Sequence, residues 1–212
     1  MTEPISAIAA RSIAISATAT LLASSWSLPL AYVLARRGGG LTVSILEALV
    51  GVPTVLVGLL LYMLLSSRGP LGFLHLLYTP TAIVLGESLL VTPLISASAY
   101  RILQPIVGDV MLLTRVYGGG RRAEVALALR EAAPALAGAV AMGFSRAIGE
   151  LGVALIVGGN IAGLTRTLST SIALATAMGE YEAAIRLGAV LAGLSIGFSL
   201  AVRAGVDRWG QG

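Results

Sequence analysis

The sequence predicts an all-α protein, a polytopic bundle of membrane-spanning helices, and three observations carry that prediction. Of its 212 residues 57% are hydrophobic and only 11% are charged, whereas a soluble domain makes its surface with about a quarter charged residues. Five stretches stay apolar over the ~20 residues that a helix needs to cross a bilayer. None alternates apolar and polar residues in barrel-strand fashion, so helices, which satisfy their backbone groups internally, are the expected spanning form. The length fits one membrane domain over residues 1–212.

The first expected span is Ser12 to Ala35, closed by Arg36-Arg37-Gly38-Gly39-Gly40. Glu3 stands where a signal peptide carries basic residues, and the apolar stretch behind Arg11 is too long for a signal core, so a retained span is expected. The second runs Val43 to Leu65 and ends in Ser66 to Pro80, which contains Gly69-Pro70; the third runs Thr81 to Ala99. Arg101 to Glu131 is the one long polar stretch. Span four is expected from Pro134 to Val157 and span five from Ala183 to Val202. Between them, the apolar but Ser/Thr-rich Leu168 to Met178 is too short to span, and reads either as a surface helix or as a half-membrane segment beside water.

All 14 basic residues are arginine. With Arg101–Glu131 placed in the cytoplasm, Arg36, Arg37, Arg101, Arg115, Arg121, Arg122, Arg130, Arg203 and Arg208 lie inside, against Arg11, Arg68, Arg166 and Arg186 outside. That bias follows the positive-inside rule and predicts an outer N-terminus and a cytoplasmic C-terminus. The net charge of +4 is thereby a mark of membrane orientation, not of nucleic-acid binding.

The same composition excludes chemistry. Without lysine no phosphate-binding G-x-x-x-x-G-K-[ST] loop can exist, so any ATP hydrolysis belongs to another chain. Without cysteine there are no disulfides or thiolate sites. The single histidine, His75, has no carboxylates near it in sequence and is expected in a loop, with no metal. Hydrolase signatures are absent and the ten carboxylates are scattered, so no catalytic residue and no cofactor are expected.

Two regions carry candidate function. Span four is dense in small residues, which let helix backbones approach in lipid. It also holds Arg146 and Glu150, whose i, i+4 spacing puts them on one face. Charges at that depth are costly unless paired, and so point either to function or to a structural pin; Glu87 in span three is a possible third member. The second region is Asp109 to Arg130, where a short helix ending near Gly118 and another from about Arg121 would present a docking surface.

These segments also carry a resemblance. Gly51-Val52-Pro53-Thr54-Val55-Leu56-Val57-Gly58-Leu59, Gly69-Pro70-Leu71-Gly72, Tyr78-Thr79-Pro80-Thr81-Ala82, Arg146-Ala147-Ile148-Gly149-Glu150-Leu151-Gly152, Val157-Gly158-Gly159-Asn160-Ile161 and Thr165-Arg166-Thr167-Leu168 resemble permease subunits of ATP-binding-cassette oxyanion importers, most nearly the tungstate type, with molybdate permeases as relatives. The resemblance implies a homodimer of permeases around one pathway, two ATPase subunits below it, and an extracellular binding protein that delivers the anion. It also implies a docking loop of E-A-A-x-x-x-G pattern. Glu131-Ala132-Ala133 cannot be that motif, since its glycine would fall on Ala137; placing the glycine at Gly118 gives Leu112-Leu113-Thr114 as a degenerate triplet. Asp109, Leu112, Leu113, Thr114, Arg115, Tyr117, Gly118 and Arg121 are then the coupling residues. For the pathway or its gate the candidates are Arg146, Glu150, Gly159, Asn160, Thr165, Arg166 and Thr167, with Arg166, Thr165, Thr167 and Asn160 as free donors for an oxyanion near the outer end. An ion-coupled secondary transporter using Glu150 and Glu87 is the alternative from another class.

Overall fold

The computed structural model describes residues 3–209, with side chains to Val206, so Arg208 lies outside the described side chains. Within that range the chain is all-helical, in the order α1 (Ile5–Arg37), α2 (Gly40–Leu49), α3 (Thr54–Leu65), a 3₁₀ turn (Gly72–Leu74), α4 (Pro80–Val116), α5 (Arg121–Ile148), α6 (Gly152–Gly158), α7 (Leu168–Ala177) and α8 (Tyr181–Trp209). Four helices, α1, α4, α5 and α8, are long and apolar enough to cross a membrane, and the bent pair α2–α3 is long and apolar enough to be a fifth, broken span or a re-entrant loop.

The bundle is built around α4, which packs against α1, α5, α6, α2 and α3. A hydroxyl-rich stripe makes the α1–α4 seam: Ser12, Ser16, Thr20, Ser24 and Ser27 are buried among Ile8, Ile15, Ala19, Ala23 and Ala31. Ser12, Thr20 and Ser24 donate to the carbonyls of Ile8, Ser16 and Thr20 at 2.9, 2.7 and 2.7 Å, so small side chains enter the seam with their polar atoms already satisfied. Trp26 Nε1 donates across to Thr92 Oγ1 at 2.7 Å. Gly143 of α5 packs into the same seam, so close that an added Cβ would stand 2.7 Å from Ile95 Cδ1 and 3.7 Å from Thr20 Cγ2.

Three expected boundaries change. Arg101–Glu131 is not a loop: α4 continues through it to Val116, and α5 begins at Arg121. Arginine, leucine and alanine are good helix formers, and polar composition alone does not stop a helix. The 37 residues of α4 correspond to a rod of about 55 Å, far longer than the ~30 Å hydrocarbon layer. Pro134 does not open span four but lies inside α5. Spans two and four are both interrupted, α2 meeting α3 at 94° and α5 giving way to α6 at Gly149–Leu151.

The two ends of the bundle differ. At one end Tyr32 Oη and Arg36 Nε both donate to Glu124 Oε1 at 2.8 Å, tying the end of α1 to the first turn of α5. The apolar cluster beneath it joins Ala31, Leu103, Val107, Val110, Ala128 and Ala132. The opposite end gathers the start of α1, the turn before α4 and residues 159–167, with Tyr78 N donating to the Val157 carbonyl at 2.8 Å.

Candidate functional site

The pairing read from the i, i+4 spacing is present: Arg146 Nη1 donates to Glu150 Oε2 at 2.6 Å. Its setting differs from expectation. Glu150 is past the end of α5, in the interruption itself, and its Oε1 accepts from the Val153 backbone N–H at 3.2 Å in the first turn of α6. One buried carboxylate therefore holds the last turn of α5 with one oxygen and the start of α6 with the other. A carboxylate at a helix start takes up a donor that has no intrahelical partner. The Glu150 side chain is 3% exposed and that of Arg146 43%, so the pair is not the fully enclosed one expected. Arg146 shares the open face of α5 with Gly138, Met142 and Gly149. A half-exposed guanidinium at this depth calls for water or protein beside it, not acyl chains.

Glu87 lies close by on α4, 2% exposed. Ser16, Glu150 and Arg146 surround it, and its Oε2 has no partner. The interruption also meets the other one: a Cβ on Gly152 would stand 2.6 Å from Thr54 Oγ1 and 3.0 Å from Val55 N, at the start of α3. The backbones of α6 and α3 touch again at Gly58, where a Cβ would be 3.2 Å from Val153 Cα. The glycines of the two spans thus bring both broken helices into one layer.

Of the donors expected to be free near residues 159–167, most are used inside the turn. Thr165 Oγ1 donates to the Gly158 carbonyl at 2.6 Å and accepts from Ile161 N at 2.9 Å. Thr167 caps α7 with a reciprocal capping box to Thr170. Both threonines are buried, and their hydroxyls are engaged in building the turn. Arg166 bonds the neutral Asn160, Nε to Oδ1 at 3.3 Å and Nη2 to the backbone oxygen at 3.4 Å, and it forms no salt bridge with a carboxylate among the described residues. Gly159 has φ +68°, a left-handed value suited to glycine, and a Cβ there would stand 2.8 Å from the Tyr78 ring.

Sequence reasoning missed Glu3 and Arg11. Arg11 bonds the Glu3 carboxylate and donates to the Arg166 carbonyl at 2.9 Å, and Gly163 N donates to Glu3 at 3.2 Å. The Arg11 guanidinium beside it holds the Glu3 carboxyl below the usual carboxylate range. Separations of some 160 residues leave no periodicity from which to read such contacts.

At the opposite end, α4 ends and α5 starts where the glycines suggested. Gly118 takes φ +68°, and Gly119 N donates to the Thr114 carbonyl at 2.7 Å, closing the turn. Leu112, Leu113, Val116 and Tyr117 are 67%, 48%, 73% and 83% exposed, beside the exposed Asp109, Arg115, Arg121 and Arg122. Thr114 alone among the coupling candidates turns inward, its Oγ1 donating to the Val110 carbonyl at 2.8 Å.

No family model matches the chain. It is 42% identical over 192 residues to the tungstate uptake system permease protein TupB of Peptoclostridium acidaminophilum, an alignment covering 89% of this chain and 83% of that one. Identity is 34% over 198 residues, 90% and 85% of the two chains, with a probable anion ABC transporter permease protein of Haloferax volcanii. TupB of Campylobacter jejuni is 40% identical over 147 residues, 69% of this chain and 62% of that one. With apolar spanning helices and relatives alike along most of its length, the chain is an integral membrane protein and belongs to the family of ABC transporter permeases that includes the tungstate-uptake permeases.

Proposed function

We propose that this chain is the membrane permease of an ATP-driven importer of tungstate, working as a homodimer with two ATPase subunits on the cytoplasmic side and a binding protein outside. The 42% identity with a tungstate uptake permease over 89% of the chain carries the substrate assignment. A probable molybdenum permease of Haloferax volcanii is 28% identical, which makes molybdate the secondary cargo to test.

The arginine bias supports placing the α4–α5 turn in the cytoplasm. There, large apolar side chains exposed in a polar setting are what a protein partner covers. The turn is accordingly the ATPase dock, with Asp109, Leu112, Leu113, Arg115, Tyr117, Gly118 and Arg121 at or beside the contact and Thr114 holding the turn from within. The layer where α3 meets α6 is the pathway gate. Opening it moves Glu150 relative to Arg146 or to Val153, and Arg166 with Asn160 receives the anion at the outer mouth.

The test is uptake. Proteoliposomes holding the permease and its ATPase should accumulate tungstate only with ATP and loaded binding protein, and Arg166→Gln should slow that uptake without altering assembly. Accumulation driven by an ion gradient without ATP overturns the assignment. Cysteine at Tyr117, rather than at the inward-facing Thr114, should be labelled only from the cytoplasmic side; labelling from outside inverts the topology.

A further inference from the structure

At the outer mouth Glu3 joins parts of the chain that are far apart in sequence. Its Oε1 accepts from Arg11 Nη2, and its Oε2 accepts from the Gly163 backbone N–H at 3.2 Å. Arg11 uses Nη1 to bond the Arg166 carbonyl at 2.9 Å, which fixes its fork toward Glu3. The Arg166 guanidinium, bonded among the described residues to the neutral Asn160, also exerts its charge on Glu3. The seat is well shielded, the Arg11 and Glu3 side chains being 17% and 11% exposed.

The donor set is one that receives oxyanions: the Arg11 Nη2 N–H of a guanidinium whose other arm is fixed, a backbone N–H from a glycine at φ +75°, and the positive charge of Arg166 acting on the same seat. One carboxylate is paired with Arg11 and lies within the field of Arg166, so a positive charge is left over even with Glu3 in place. With Glu3 swung out, two positive charges and a free N–H remain, the complement of a tetrahedral dianion. Glu3 precedes the first helical residue, Ile5, so its departure unwinds no helix.

We propose that Arg11, Arg166 and the Gly163 N–H form an entry site for a tetrahedral dianion, in which the Glu3 carboxylate stands in for the anion and yields to it. This rests on the reading of the chain as an oxyanion permease. The stand-in keeps the seat from closing on chloride or on an anion of single charge, because only a ligand with more charge than a carboxylate gains by displacing it. It also keeps the site weak, as an entry point must be if the anion is to move on.

The test uses the full-length permease in nanodiscs, with tungstate binding measured by equilibrium dialysis and tungsten counted by mass spectrometry. Glu3→Ala should bind tungstate about tenfold more tightly than the unaltered chain, with sulfate competing and nitrate not. Adding Arg11→Gln to Glu3→Ala should remove that gain, and Arg166→Gln in the same background should do so independently should the Arg11 variant fail to fold. The proposal is overturned if Glu3→Ala binds no more tightly, or if the gain survives loss of either arginine. ATP-driven uptake by the assembled transporter separates the two ideas. Variants that bind as expected in a transporter that carries no tungstate keep the site and remove the function; normal uptake with unaltered binding does the reverse.

Discussion

The two interrupted spans are broken by different means. Between α2 and α3 the break is made by backbone: Pro53, with no N–H to give, stands ahead of Thr54, and the flanking Leu49 and Val50 are apolar and each 47% exposed. Between α5 and α6 there is no proline at all. Gly149 and a buried carboxylate part the helix, and Glu150 then rejoins the two pieces through Arg146 and Val153. Proline is not what decides the matter, since Pro29, Pro93, Pro105 and Pro134 all lie inside unbroken helices. In lipid a helix stays broken where the freed backbone groups find partners. Val50, Gly51 and Val52 N–H donate to the carbonyls of Glu47, Ala48 and Leu49 at the first break, and Val153 N–H donates to the Glu150 carboxylate at the second.

This contrast can be tested by ranking substitutions. Gly152→Val should cost most, about 1–3 kcal/mol, because its side chain would enter the start of α3. It should lower the thermal midpoint of the solubilised protein and disturb both breaks together. Next comes Glu150→Gln, which weakens a charge-assisted bond and the bridge to Val153; we expect about 1–3 kcal/mol, and less than for Gly152→Val. The higher figure of a wholly buried pair does not apply, because the Arg146 side chain is 43% exposed. A stable but transport-dead Glu150→Gln would show that the bridge works in gating and not in holding the fold. Pro53→Ala and Pro134→Ala should each shift stability by less than about 1 kcal/mol; a large loss for Pro134→Ala would restore proline as the controlling element.

The smallest effect concerns pH at the end of the bundle where Glu3 meets Arg11. Glu3 has its carboxyl held low by Arg11, so its tether contributes fully above the ordinary carboxylate range and is lost as pH falls through the lowered value. Melting curves of the unaltered chain and of Glu3→Gln should therefore differ slightly at neutral pH and converge in acid. A difference that grows on acidification has the wrong sign for this tether.

How far the sequence could be read follows from the range of each interaction. Arg146 with Glu150, and the end of α4 at Gly118, are local: a four-residue spacing and a glycine cap announce them. The continuity of α4 past Arg101 was hidden because polarity marks where a helix leaves the lipid, not where it stops. The role of Thr165 was hidden for another reason. A hydroxyl is equally able to serve an ion or the chain, and only the nearness of the Gly158 carbonyl decides. The break at Glu150 was missed because glycine is common inside membrane helices, and nothing nearby in sequence says that Val153 N will need an acceptor.

The length of α4 has a mechanical meaning. It is capped by Thr79 at one end, runs past both breaks, and ends at the exposed turn of residues 117–120. A helix of about 55 Å that pivoted as one piece by about five degrees would sweep its far tip through about 5 Å, close to the rise of one helical turn. A shift of that size imposed on Tyr117 by a partner would reach the start of α4 without any local unfolding. The lever is fastened to α1 along the hydroxyl seam, so the first helix must tilt with it or slide. The hydroxyls of Ser12, Thr20 and Ser24 donate within α1, whereas Ser27 and Trp26 cross to Thr92 of α4. A push on the far tip of α4 would thus be passed to α1 through the bonds of Trp26 and Ser27 to Thr92.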